Sequence, residues 1–136
     1  MTADTLLKKT FIAGAIIDTA IAISWLLVSF GWDLPNIVNG FTSPDEDYKF
    51  QLFVNALFMA GWGSVLYWGA QNPVERRGLL PLTSAWLTLS IFLELLLFGD
   101  LLEGPWLVFG IIKRLLISIS FIWVYAWSKR KQPGAA

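Results

Sequence analysis

The 136 residues are 56% hydrophobic and 15% charged, with equal numbers of basic and acidic side chains and neither Cys nor His. Without thiols or imidazoles there is no route to a disulfide, an iron–sulfur cluster, a His- or Cys-held haem, an ordinary zinc site or a His-based triad. Zero net charge implies no nucleic-acid partner, and a mean hydropathy of +0.61, well above that of soluble domains, predicts one membrane domain over 1–136 with no separate soluble part.

The first apolar run covers 11–30 and follows Lys8 and Lys9. This resembles a signal peptide, but the run carries Asp18 and ends in Ser29-Phe30-Gly31-Trp32 without a small-x-small cleavage site. It reads as a retained span. After a loop at 31–49, Ser43-Pro44-Asp45-Glu46 forms a capping box, so a second helix starts outside the membrane and runs into a span at 50–68. In the loop at 69–79, Asn72-Pro73-Val74-Glu75 predicts a helical turn before Gly78. Pro81 suits the start of a third span at 80–98, and Pro105, after the loop 99–105, suits the start of a fourth at 106–127.

Each run approaches the ~20 residues that cross a ~30 Å hydrocarbon core. Strict alternation is missing, which argues against a β-barrel. The expected fold is all-α: a polytopic, antiparallel four-transmembrane-helix bundle. Its orientation follows from Lys8, Lys9, Arg76, Arg77, Lys129, Arg130 and Lys131, which fall on one side against Lys49 on the other. Both termini and the second loop are therefore expected in the cytoplasm, in a plasma or inner membrane. Asp33, Asp45, Glu46, Asp47, Asp100 and Glu103 then face out. Trp32, Trp68, Trp106 and Trp127 lie at span ends, as interfacial aromatics do.

Asp18, Glu94, Lys113 and Arg114 lie inside the spans. Each costs at least ~2.5 kcal/mol at a lipid-facing helix centre, so each is expected to face the interior. Helical rise puts Glu94 about 6 Å from the outer end of its helix and Lys113 and Arg114 about 10–12 Å below the outer surface. Asn55 falls at similar depth. The expectation is an outer polar cluster of Glu94, Asn55, Lys113 and Arg114. Lys113 and Arg114 point about 100° apart. Arg114 shares a stripe with Gly110, Ser118 and Tyr125, and Lys113 snorkels along the flank. The cluster reads either as a register-fixing ion pair or as a gate.

Asp18 lies about 10 Å from the cytoplasmic end of its helix. Its face, Thr10, Gly14, Asp18, Ala22, Trp25 and Ser29, is small and polar and matches a stripe of Ala56, Ala60 and Ser64 on the second helix. At its depth the other helices place Trp62, Trp86 and Ser118 or Ser120, and no basic residue. Asp18 either glues helices by hydrogen bonding to Ser or Trp, or binds a proton or cationic ligand beside tryptophan, with Trp25, Trp62 and Trp86 as lining candidates.

The weaker signals have plain explanations. Asp45-Glu46-Asp47 suits a helix N-terminus better than calcium, Gly61-Trp62-Gly63 suits close packing better than a hinge, and the basic clusters already follow from topology. No metal site, cofactor, phosphate loop or nucleophile elbow is legible. In helix number and residue types alone, the chain is similar to the small multidrug-resistance transporters and to the emopamil-binding sterol isomerase group, so no residue is carried over from either. The leading expectation is a non-catalytic membrane protein that binds a lipid-like ligand or joins a larger membrane complex as an accessory subunit. A small proton-coupled transporter using Asp18 is the alternative. An enzyme acting on a lipidic substrate comes third.

Overall fold

A computed structural model of the protein describes residues 2–32, 34, 46–98 and 105–131. The order of elements is α1 (Ala3–Ser29), α2 (Glu46–Gly69), α3 (Leu79–Phe98) and α4 (Pro105–Lys131), with no strand among the described residues. All four helices are long and apolar enough to cross a membrane. Ser43, Pro44 and Asp45 of the expected capping box, and Asp33, Asp100 and Glu103 of the outer loops, lie outside the described residues.

Local signals set the helix ends. The Thr2 hydroxyl accepts from the Thr5 N–H at 3.2 Å, an N-cap that starts α1 well before its apolar run. At the other end Gly31 takes φ +86, and the N–H groups of Gly31 and Trp32 return to the carbonyls of Val28 and Leu27 at 2.9 and 3.0 Å. This pattern needs a left-handed residue, which glycine supplies without strain. Between α2 and α3 the expected helical turn reduces to turns with one helix-type bond, Arg76 N–H to Asn72 carbonyl at 3.1 Å. The Arg76 guanidinium stacks 3.5 Å over the Trp68 ring and donates to the Trp68 carbonyl, which closes the C-terminus of α2.

Apart from a buried cluster at one end, many large apolar side chains face outward and small ones line the α1–α2 contact. Phe58, Phe92, Leu96 and Trp123 are well exposed, whereas Gly14, Ala15, Ala22, Ala56 and Gly63 are buried. Lipid tails are as apolar as Leu, so large side chains gain nothing by turning inward and small ones let backbones approach. At Gly63 an added methyl would lie 3.3 Å from Thr19 Oγ1 and 3.4 Å from both the Ala15 carbonyl and Asp18 Cβ. At Gly14 it would lie 3.0 Å from Leu66 and 3.1 Å from Phe121. The α2 face that meets α1 thus runs through Ala56, Gly63 and Leu66. Ser64, expected in that stripe, is exposed and donates to its own helix at the Ala60 carbonyl.

The helices pair as two antiparallel hairpins, α1 with α2 and α3 with α4, and the hairpins meet through α1 and α4. The meeting point lies at the end that carries the start of α1, the turn 70–78 and the end of α4, here called the base. Leu7, Phe11 and Ala15 of α1, Leu66 and Ala70 beside α2, Leu80 of α3, and Phe121 and Val124 of α4 form one buried cluster there. The far ends of the helices are called distal. Along their lengths α2 and α3 do not pack on each other.

Candidate functional site

One turn above the basal cluster stands Asp18. It is partly buried on α1, with its Cβ against the Gly63 backbone of α2. Its position follows from the wheel of α1: Phe11, Gly14, Asp18 and Ala22 share the face on which Phe11, Gly14 and Ala22 are buried. Among the described residues its carboxylate receives no hydrogen bond and no ion pair. The expected helix glue through Ser or Trp is absent there. Ser118 is committed to α3, and Ser120 is exposed and donates to the Leu116 carbonyl.

Trp25 lies two turns distal to Asp18 on nearly the same face, about 10 Å along the axis. Its indole N–H is buried without an acceptor among the described residues. Trp62, which precedes Gly63, is half-buried and packs on the basal cluster. These three residues belong to the α1–α2 hairpin. Trp86 does not join them: it is 61% exposed on the outer surface of α3. Depth alone had placed it beside Asp18. The α3 face that meets α4 carries Ser84 and Thr88, and two residues past Ser84 is about 200° around the helix, so Trp86 points away.

The expected outer cluster resolves into a smaller unit. Arg114 forms an ion pair with Glu94 across α3 and α4. It also donates from Nε to the Gly110 carbonyl at 3.2 Å and from Nη1 to Ser90 Oγ at 3.4 Å. Gly110 and Ser118 are buried on the same stripe, as the sequence predicts. Asn55 is not part of this unit. It accepts from Gln51 Nε2 one turn earlier on α2, at 3.2 Å, because α2 packs on α1 rather than on α3 or α4. Lys113 is half-buried on the other flank of Arg114 and has no hydrogen bond or ion pair among the described residues.

Hydroxyls missed as a group by the sequence reading fasten the second hairpin. Ser84 Oγ donates to the Ser118 carbonyl and Ser118 Oγ to the Ser84 carbonyl, both at 3.1 Å. Thr88 Oγ1 lies 3.1 Å from Ser118 Oγ. The signal was legible in retrospect: Ser84 and Thr88 stand one turn apart on one face of the helix. Pro81, Ser84, Ala85, Thr88, Leu89 and Phe92 of α3, with Ile122 of α4, border an open surface groove. Its hydroxyls are already spent on these bonds, so it presents an apolar surface.

Among the described residues no group of His, Cys, Asp or Glu converges as metal ligands. What the arrangement offers chemically, among the described residues, is the Asp18 carboxylate without a hydrogen-bond or ion-pair partner and packed close to Gly63, with Trp25 and Trp62 on the same hairpin and the paired Glu94–Arg114 unit on the other. Comparison with family models, with curated proteins and with solved structures finds no match for the chain.

Proposed function

We propose that this chain is a plasma- or inner-membrane protein, an antiparallel four-helix bundle that binds a hydrophobic, lipid-like ligand between its hairpins, with Asp18 as the polar contact. The base faces the cytoplasm, because Lys8, Lys9, Lys129, Arg130 and Lys131 are exposed there and cytoplasmic segments retain Lys and Arg. The observation that carries the reading is that the Asp18 carboxylate has no partner among the described residues. A carboxylate in the hydrocarbon region is costly, and one kept without an internal partner is a functional position by default. Trp62 and Trp25 supply aromatic surface on the same hairpin.

A second reading, a proton-coupled transporter, draws on the same carboxylate and on the division into two hairpins joined at one end. In that reading Asp18 carries the proton and the Glu94–Arg114 pair gates the distal side. The accessory-subunit and enzyme readings rest on no particular feature of the site.

Native mass spectrometry of protein released directly from membranes tests the leading reading. The expected result is a small-molecule adduct on the wild type that is lost in Asp18→Asn. A wild type that flies without any adduct, from lipid-rich and lipid-poor preparations alike, would refute it.

A further inference from the structure

The way the hairpins meet says more about the ligand. At the base, Leu7, Phe11, Leu66, Leu80, Phe121 and Val124 pack into one buried apolar cluster below Asp18. At their basal ends α2 and α3 are locked together, since a methyl added at Gly69 would lie 3.2 Å from Leu79 Cδ1. Beyond that point the two helices do not pack on each other. Among the described residues the ring α2–α1–α4–α3 is therefore least closed between α2 and α3.

Charge narrows the chemistry. Among the described residues Asp18 is an acid without a cation, while Arg114 is already held by Glu94, Gly110 and Ser90. Lys113 lies on the flank of α4 away from that pair and makes no ion pair among the described residues. A low-dielectric site strongly favours a charge-assisted partner for a lone carboxylate. An ammonium group supplies one, and Trp62, the residue before Gly63 on α2, adds aromatic surface on the same hairpin.

We propose that the ligand is a lipophilic amine dissolved in the bilayer, which enters sideways between α2 and α3 and docks its ammonium group on Asp18. This rests on the lipid-like ligand reading and adds two things to it, the charge of the headgroup and the route of entry. Seam position follows from the same wheels. Asn55 and Trp62, both half-buried, stand to one side of the Ala56–Gly63 face that meets α1, and Leu87 is half-buried beside Thr83 on α3.

The test uses the full chain in lipid nanodiscs with radiolabelled dodecylamine, and dodecanol and dodecanoate as controls of equal chain length. Binding is counted above protein-free discs. The expected result is saturable binding of the amine alone, weakened at least ~10-fold in Asp18→Asn, the loss expected of one charge-assisted contact. Asp18→Glu should retain it, which guards against misfolding as the cause. Because the chain has no native cysteine, Asn55→Cys with Leu87→Cys can be bridged by a long bis-methanethiosulfonate. Bridging should slow amine uptake about tenfold, and reduction should restore it.

Equal, Asp18-dependent binding of dodecanol would overturn the amine assignment and leave the lipid-like site standing. Uptake unchanged by the bridge would overturn the lateral route. Failure of all three probes to bind above empty discs would overturn the inference together with the reading beneath it.

Discussion

Arg114 and Glu94 offer a sharp test of the second hairpin. Their side chains are 22% and 29% exposed, between a surface pair worth under ~1 kcal/mol and a fully buried one whose breakage costs about 3–5 kcal/mol. Glu94→Gln leaves Arg114 its bonds to Gly110 and Ser90 and an amide oxygen to donate to, so the loss should be about 1.5 kcal/mol. Arg114→Gln strands the Glu94 carboxylate in an apolar setting and should cost more, about 3 kcal/mol. The double variant removes both charges, so it should cost about as much as Arg114→Gln alone, or less. That corresponds to a coupling of about 1.5 kcal/mol or more. Reversible unfolding in bicelles by steric trapping measures all four species. Singles that simply add, with coupling under ~0.5 kcal/mol, would refute the pairing.

Other positions give independent checks by the same unfolding assay. Gly69→Ala should destabilise by about 1–3 kcal/mol through overpacking, because its methyl would meet Phe11 ring carbons at 2.8 and 2.9 Å; Gly61→Ala, with nothing within 4 Å, should be neutral or stabilising by up to ~1 kcal/mol. Ser118→Ala removes its donation to Ser84 and its contact with Thr88 and should cost about 0.6–1.7 kcal/mol, the range for interhelical hydrogen bonds in membranes. Ser120→Ala, which loses only a bond to its own helix, should cost less. Arg76→Ala should lower stability by about 1 kcal/mol as the stack on Trp68 and the donation to its carbonyl are lost, and Arg76→Lys should recover only part of it, since an ammonium lacks the planar fork.

The helices were legible from the sequence because hydropathy and helix-end residues act locally. Runs of apolar residues place the spans, and Gly31 ends α1 through a backbone conformation only its own residue type adopts freely. The Arg114 stripe was legible for the same reason: Gly110, Arg114 and Ser118 share a face whatever lies opposite. The reach of Glu94 to Arg114 was legible too, from helical rise. Consecutive helices were expected to pair, α1 with the small stripe of α2 and α3 with α4, and they do; which helices join the two hairpins was not legible, because all four carry apolar residues nearly all round. Asn55 and Trp86 were grouped with residues at their depth, but α2 chose α1 and Ser84 turned α3 toward α4. Those choices rest on small residues and hydroxyls on two helices at once, which no single run displays. Asp18 fell between these cases. Its face could be read from Gly14 and Ala22, while the lack of a partner depends on where every other polar side chain went.

That lack of a partner is the point on which the functional account turns. If Asp18 is kept for a ligand rather than for the fold, removing its charge should cost the empty protein no stability. The decisive measurement is the unfolding free energy of Asp18→Asn against wild type, in bicelles stripped of amines. The account predicts a value equal to wild type or higher, because no bond is lost and a costly charge is removed. A loss of more than ~1 kcal/mol would mean that Asp18 holds the helices together, and would contradict it.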